Sequence, residues 1–235
     1  MTAEHPPVRS VIAVDGIDGS GKSVLARRLA DVATRAGIEN VILGVDDFRR
    51  PVAWGQAHRS EAQTYYDDYY DLPLLDRCLA GFGAGAQSVD IPFFDSSSDR
   101  IDGSRPLSFG AATLAIVEGV FARRLAAVAA GAALVYLRTS FPEARRRIVA
   151  RDTARGRSLA DVTHRIDARY FPAQERYLRD FDPVGHADVL IDNERFDAPD
   201  VVRFNAGRFD AHTAALLRRM CTGMSPVFAS PVPVG

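Results

Sequence analysis

The sequence predicts an α/β fold in which a mainly parallel sheet carries helices on both faces. Short apolar runs rich in β-branched residues, typical of buried strands, alternate with stretches whose apolar residues repeat at helical spacing. The first strand, helix and second strand follow one another closely, which indicates a right-handed crossover between parallel strands. We therefore expect a sheet of about five parallel strands.

The elements are assigned in chain order from these patterns. The first strand is predicted over residues 8–14 and the first helix over 23–36, with Gly37 as its C-terminal cap. Later strands are expected over residues 41–45, 114–117, 133–137 and 188–191, and helices over 121–130 and 142–151.

Two stretches depart from this alternation. Residues 88–109 hold two apolar runs around a polar, glycine-containing turn, which predicts a small β-arm beside the sheet. Residues 223–235 contain three prolines and no periodicity, so we expect a flexible tail. Residues 1–222 show no repeat and no domain boundary, and are expected to form one domain.

Composition excludes some functional classes. A formal net charge of -1 gives no electrostatic reason to expect a nucleic acid or an anionic membrane as partner. Cys78 and Cys221 lack metal-ligand spacing and are expected to be buried thiols. The sequence shows neither a secretory segment nor an apolar run near the roughly 20 residues that span a bilayer, so a cytoplasmic location is expected. Self-association stays open.

A phosphate-binding motif follows the first strand. GIDGSGKS matches G-x-x-x-x-G-K-[ST] and stands between a strand and a helix, the context that distinguishes a P-loop from a glycine-rich turn with a surface lysine. Glycines let backbone N–H groups face a phosphate, and the helix N-terminus adds a positive dipole end. The predicted nucleotide-binding residues of this loop are Gly16, Ile17, Asp18, Gly19, Ser20, Gly21, Lys22 and Ser23.

Lys22 is the only lysine of the chain, since 28 of the 29 Lys and Arg residues are arginine. A P-loop needs a compact point charge at the β/γ-phosphates, which a planar guanidinium does not reproduce. Lys22 is therefore a candidate catalytic residue. The Ser23 hydroxyl is expected to ligate Mg²⁺.

Two further strands end in acids, where ligands bind in open α/β sheets. Asp46 and Asp47 follow the second strand, and a carboxylate there could accept the proton of a substrate hydroxyl that attacks the γ-phosphate. Glu118 follows a later strand and could hold Mg²⁺. The structural alternatives are loop acids that cap a turn and a solvent-facing glutamate.

An arginine-rich stretch and an aromatic stretch allow two interpretations each. Arg151, Arg155 and Arg157 could close over phosphate charge as a lid at about residues 151–158, or form a solvated helix face. Residues 65–71 (YYDDYYD) could pack against the core, or stack on a base and hold sugar hydroxyls.

Together these motifs resemble the uridine kinase and phosphoribulokinase family of P-loop kinases over about residues 8–193. Residues 46–50 (DDFRR) are similar to the family's Asp-x-Phe-(Tyr/His)-Arg, and residues 66–71 (YDDYYD) to its His-Pro-Asp-Ala-Phe-Asp. Further similar segments are VDIPFFD at 89–95, VEGVF at 117–121, the arginine pattern at 151–157 and ADVLI at 187–191.

The resemblance implies a lid, a substrate arm and specific roles for single residues. It makes Asp46 the catalytic base, Asp68 a ligand of ribose hydroxyls and Glu118 a magnesium-associated acid. Phe94 and Asp99 stand where uridine kinases place Tyr and His against the pyrimidine, so they are candidate substrate residues that depart from the family pattern.

The expected activity is phosphoryl transfer from ATP, or another NTP, with Mg²⁺, to a primary hydroxyl of a small molecule. A nucleoside such as uridine or cytidine is the first candidate acceptor. The alternatives are another alcohol, such as a sugar or a pantothenate-like compound, or a regulatory nucleotide-binding module without an acceptor.

Overall fold

The computed structural model describes residues 9–52, 54, 58–95, 98–205, 207 and 209–222. Within them the chain forms eight strands: β1 Ser10–Gly16, β2 Asn40–Gly44, β3 Ser88–Asp95, β4 Arg100–Ser108, β5 Leu114–Glu118, β6 Ala133–Arg138, β7 Val189–Asp192 and β8 Asp200–Phe204. Six of these build the main sheet in the order β2-β5-β1-β6-β7-β8. All neighbours in it are parallel except β7 and β8.

The helices in the described residues are α1 Lys22–Arg35, α2 Glu61–Asp67, α3 Leu72–Gly83, α4 Ala126–Ala129, α5 Phe141–Ala154, α6 Leu159–Arg165, α7 Phe171–Phe181, α8 Pro183–His186 and α9 Ala211–Cys221. Short 3₁₀ turns occupy Val45–Phe48 and Ala122–Arg124. None of these helices is long and apolar enough to cross a membrane.

The predicted α/β class and its five parallel strands are confirmed, and one strand was missed. β8 is short, and of its two consecutive valines Val201 is buried while Val202 is exposed, so it lacks the continuous apolar run that marks the parallel strands. The predicted helix over 121–130 is wrong in detail. The 3₁₀ turn Ala122–Arg124 and the four-residue α4 divide it, with Leu125 in an extended conformation between them.

The sheet separates two layers of core. Successive side chains of a strand point to opposite faces, and in β1 Ile12 and Val14 pack with α1 and α9 while Ala13 packs on the other face with α3 and α7. Cys78 and Cys221 are buried free thiols, one in each layer. This arrangement leaves the carboxyl ends of the parallel strands free to hold a site.

The expected β-arm is present as the antiparallel pair β3 and β4, separate from the main sheet. The predicted lid region, 151–158, covers the end of α5 and the turn before α6, where Gly156 has φ +88°. The predicted tail at 223–235 lies outside the described residues.

Candidate active site

Three neighbouring strands bring the predicted residues together. β5 lies between β2 and β1, and Glu118 pairs in register with Gly44 of β2 and with Val14 of β1. The P-loop, Glu118 and the turn that holds Asp46 therefore all follow the carboxyl ends of neighbouring strands, at the same height along the strand direction. Strand order, which the sequence did not predict, thus gathers motifs that lie far apart along the chain.

The P-loop joins β1 to α1 through backbone that requires glycine. Gly21 has φ +99°, and a Cβ there would stand 2.8 Å from Asn193 Nδ2. Asn193 also donates to the Ser20 carbonyl at 2.6 Å, which fixes the loop from the β7 side. An L-residue at position 21 would meet both a strained φ and a close contact.

The mouth of the loop fits a phosphate. Within the described residues, no hydrogen-bond acceptor is found for the backbone N–H groups of Gly19, Gly21, Lys22 and Ser23. Unpaired N–H groups at a helix N-terminus bind anions, because the helix dipole adds to their positive partial charges. Gly16, Ile17 and Ser20 lie behind this mouth, and Ser20 is fully buried.

The side chain of Lys22 is positioned by a hydrogen bond to the backbone of its own loop. Its side chain is largely buried, and Nζ donates to the Ile17 carbonyl at 2.9 Å. The ammonium group thus lies under the mouth of the loop and lines the large cavity described below.

Ser23 and Glu118 form an oxygen pair that fits a magnesium ion. Ser23 Oγ donates to Glu118 Oε1 at 3.1 Å. Burial raises the pKa of Glu118, while the neighbouring Lys22 and Ser23 lower it. Among the described residues no cluster of three His, Cys, Asp or Glu could enclose a metal. A Mg²⁺ ion, which usually keeps several waters and binds substrate phosphates, would need few protein ligands here.

Asp46 lies opposite the P-loop and presents one free oxygen. Its Oδ1 accepts from Tyr70 OH at 2.9 Å and pairs with Arg49 at 3.2 Å. No partner is found for Oδ2 within the described part of the chain, and the side chain is 67% exposed. Asp47 points elsewhere, pairing with Arg105 of β4 at 3.1 Å.

Two adjoining cavities meet at Asp46. The large cavity, of about 840 Å³, is lined by Asp18, Gly19, Gly21, Lys22, Ser23, Val24, Arg27, Asp46, Tyr70, Glu118, Gly119, Val120, Arg146, Arg147, Ala150, Arg151, Arg155 and Phe196. The small cavity, of about 180 Å³, is lined by Asp18, Asp46, Arg49, Tyr65, Tyr69, Tyr70, Arg151, Asp152, Arg155, Arg157, Arg165 and Tyr170.

The three arginines of the predicted lid line the cavities unequally. Arg151 and Arg155 line both, whereas Arg157 lines the small cavity alone. Arg151 and Arg157 share Asp152 at 2.7 and 2.9 Å. Arg155 has no ion pair within the described residues, so its charge is available to a ligand.

Three predicted substrate residues lie outside the linings of these cavities. Asp68 pairs with Arg59 at 2.5 Å. Phe94 is near the end of β3, and the exposed Asp99 occupies the hairpin turn with φ +53°. Their roles as substrate ligands stay predictions.

Several lining residues were not predicted. Phe196 is 54% exposed, and the Arg147 guanidinium lies 5.5 Å from its ring centroid. Phe196 follows β7 in a loop that carries no sequence motif, and only the strand order brings it to the P-loop. The sequence also did not predict the hydrogen bond from Tyr70 to Asp46. Residues 65–71 contain four tyrosines, and their pattern does not show which hydroxyl contacts a carboxylate.

Asp15 is a further unpredicted residue, buried directly before the P-loop. Its carboxyl accepts from the N–H groups of Gly16 at 2.7 Å and Arg123 at 3.2 Å, and from Tyr177 OH. Burial raises the pKa of Asp15 to about 6, although these hydrogen bonds and Lys22 oppose the shift. Asp15 therefore ties the P-loop to the turn after β5 and to α7.

A family model and several known proteins are similar to this chain. The model of the phosphoribulokinase / uridine kinase family matches residues 11–195. A thymidylate kinase from Xanthomonas campestris is 41% identical over 80 residues, 33% of this chain, and the match spans 34% of that relative's length.

Solved structures share the fold. A possible uridine kinase from Bacillus stearothermophilus aligns with a TM-score of 0.60 and 22% identity, over 80% of this chain and 91% of that one. Phosphoribulokinase from Rhodobacter spheroides aligns with a TM-score of 0.55 and 16% identity, over 79% of this chain and 70% of that one.

Proposed function

Since the chain belongs to the phosphoribulokinase/uridine kinase family, we propose that it is a small-molecule kinase. It would transfer the γ-phosphoryl group of ATP to a primary hydroxyl of a small polar metabolite, with Asp46 as the base. One observation carries this proposal. Asp46, whose Oδ2 has no partner within the described residues, lines the same cavity as Lys22, Ser23 and Glu118, so a carboxylate and a phosphate-binding loop share one space.

The residues have separate tasks in this transfer. Lys22 and the N–H groups of the P-loop hold the phosphates, and Ser23 with Glu118 would hold Mg²⁺. When bound, the metal would neutralise part of the negative charge on the phosphate oxygens. Asp46 Oδ2 accepts the proton of the acceptor hydroxyl as its oxygen attacks, and Arg155 is free to contact the transferring group.

A nucleoside remains the acceptor predicted from sequence, through the arm residues Phe94 and Asp99. An ionised Asp99 can only accept hydrogen bonds. It would therefore favour cytidine, which offers an amino group, over uridine.

The small cavity favours a second candidate, a compact and strongly polar alcohol. All twelve of its lining residues are charged or tyrosine, and none is aliphatic. Arg49 and Arg165 lie there in addition to the lid arginines. A sugar, or an alcohol that bears a carboxylate or a phosphate, would suit this lining better than an apolar molecule.

The test is a screen for phosphorylated products with the full chain, ATP and Mg²⁺. The acceptors are uridine, cytidine, pentoses with and without a phosphate, and hydroxy acids such as pantothenate, and mass spectrometry identifies each product. We expect one class to be turned over with a one-to-one yield of ADP. ATP consumption without a phosphorylated product from any class would instead support a regulatory nucleotide-binding module.

A further inference from the structure

Two buried tyrosines connect Asp46 to the P-loop. Tyr70 OH donates to Asp46 Oδ1 at 2.9 Å, and Tyr65 OH donates to Asp18 Oδ2 at 3.1 Å. The two hydroxyl oxygens lie 3.3 Å apart. A carboxyl, two phenols and a second carboxyl thus form one row between the Asp46 turn and the phosphate-binding loop.

Counting protons fixes the direction of these hydrogen bonds. The row contains three oxygen–oxygen contacts, but two phenols supply only two protons when neither carboxyl carries one. The charged carboxylates are the stronger acceptors, so each phenol donates to its own aspartate and the phenol–phenol contact carries no proton. Tyr70 therefore directs its proton at Asp46, and Tyr65 directs its proton at Asp18.

Burial keeps both phenols in the donor form. Tyr65 and Tyr70 are 2% and 8% exposed. Burial raises the pKa of each hydroxyl well above its ordinary value, and the charges of Asp18 and Asp46 raise it further. Neither phenol would ionise near neutral pH.

The far end of the row is anchored as well. Gln174, itself buried, donates from Nε2 to Asp18 Oδ2 at 2.7 Å and accepts from the Asp18 N–H at 3.2 Å. Asp18 therefore cannot turn away from Tyr65 without leaving the Gln174 amide unpaired. Through this row the position of Asp46 depends on the P-loop.

We propose that Tyr70 is the positioning residue of the base: its hydroxyl holds Asp46 Oδ1, so that Oδ2 faces the acceptor hydroxyl, and Tyr65 is the buried neighbour that links Tyr70 to Asp18. The inference rests on the proposed role of Asp46. Tyr70 stands where the family motif that residues 66–71 resemble has Phe, so its hydroxyl departs from that motif.

The test compares Tyr70→Phe with Tyr66→Phe, a matched loss of one hydroxyl from a tyrosine of the same stretch. Tyr66 is 5% exposed and lines neither cavity. Hydrogen bonds to charged groups are strong enough that Tyr70→Phe should lower kcat roughly 10–100-fold. We expect both KM values and ATP binding to stay within about threefold, and Tyr66→Phe to match the wild type. Tyr65→Phe, which keeps the direct bond to Asp46, should lose less than Tyr70→Phe.

Asp46→Asn completes a double-mutant cycle that separates the two proposals. If Tyr70 acts through Asp46, then Tyr70→Phe in the Asp46→Asn background should cause no further loss. If the double variant instead loses the product of the two single-variant factors in kcat, the inference is overturned. Wild-type kcat in Tyr70→Phe, an effect on KM alone, or a loss in Tyr65→Phe equal to that in Tyr70→Phe would also overturn it. An active Asp46→Asn single variant would instead overturn the proposed function. Retained ATP binding by Tyr70→Phe shows that the variant is folded.

Discussion

The phosphate-binding loop and the β3–β4 hairpin differ in how firmly packing holds them. In the loop Ile17 and Ser20 are buried, Lys22 is bonded to the loop backbone, and Asn193, directly after β7, fixes the Ser20 carbonyl. In the hairpin only Ile91 is fully buried, and Phe93 and Ile101 are among the exposed apolar residues. The loop is thus pre-organised for one group, the phosphate, whereas the hairpin, although its two strands pair with each other, has few buried side chains to constrain its residues.

This contrast predicts that the two regions tolerate substitutions differently. Binding a phosphate needs free N–H groups, a cation and a magnesium ligand at fixed positions, and such preorganisation requires packing around each of them. An exposed hairpin can change residue by residue at little cost in stability, because surface substitutions usually alter stability by less than about 0.5 kcal/mol. We expect substitutions in the two regions to differ accordingly.

The largest expected effect is at Lys22. Lys22→Ala should lower kcat about 10³-fold, since it removes a preorganised charge from the transferring phosphate. Lys22→Arg should remain badly impaired, because the guanidinium does not reproduce the point contact. Arg100→Ala, which removes an exposed cation of the hairpin, is the matched control and should keep its turnover. Steady-state kinetics measures all three, and normal turnover in Lys22→Arg would contradict the argument.

The next effect concerns stability and pH at Asp15. Its pKa of about 6 in the folded protein, against an ordinary 3.8, means that the unfolded state releases its proton first as pH rises. The contribution of Asp15 is therefore fully present below pH 3.8 and is lost as pH rises through 6.

The variant Asp15→Asn does not titrate, so its stability relative to the wild type should rise by roughly 2 kcal/mol between pH 4 and pH 7. Urea unfolding of both proteins across this range measures the difference and cancels the titrations that they share. A difference that stays constant with pH would show that folding does not raise the pKa of Asp15.

A smaller effect separates two glycines of positive φ. Gly21 of the loop has φ +99° and Gly103 of the hairpin +80°, so alanine costs about 1–2 kcal/mol at either from backbone strain. A Cβ at Gly103 meets nothing within 4 Å, whereas at Gly21 it meets Asn193. Gly21→Ala should thus destabilise more, and it alone should impair ATP binding. Equal losses in thermal unfolding would mean that the loop is no more tightly packed than the hairpin.

Sequence reasoning placed the P-loop, Asp46 and Glu118 close together, for a physical reason. GIDGSGKS, Asp46 and Glu118 each follow an apolar strand, and parallel strands end at a common edge, so local pattern and fold class together place them. The prediction needed no side-chain detail.

The remaining features depend on tertiary packing that the pattern does not encode. Phe196 reaches the large cavity only because β7 adds beside β6, and Tyr70 meets Asp46 only because the turn after β2 packs on the start of α3. Asp68 was singled out by resemblance, yet Arg59, which the sequence analysis did not consider, pairs with it.

The central claim is that Asp46, and not its neighbour, is the base that faces the bound phosphates. The most direct measurement is a single-turnover assay of Asp46→Asn and Asp47→Asn, with ATP binding measured in parallel. Positioned base catalysis contributes typically ~10²–10⁴-fold, so Asp46→Asn should bind ATP normally and lose the chemical step by that factor. Asp47→Asn, whose carboxyl pairs with Arg105 outside both cavities, should stay within about threefold of the wild type. Near-normal single turnover in Asp46→Asn, or a larger loss in Asp47→Asn, would contradict the account.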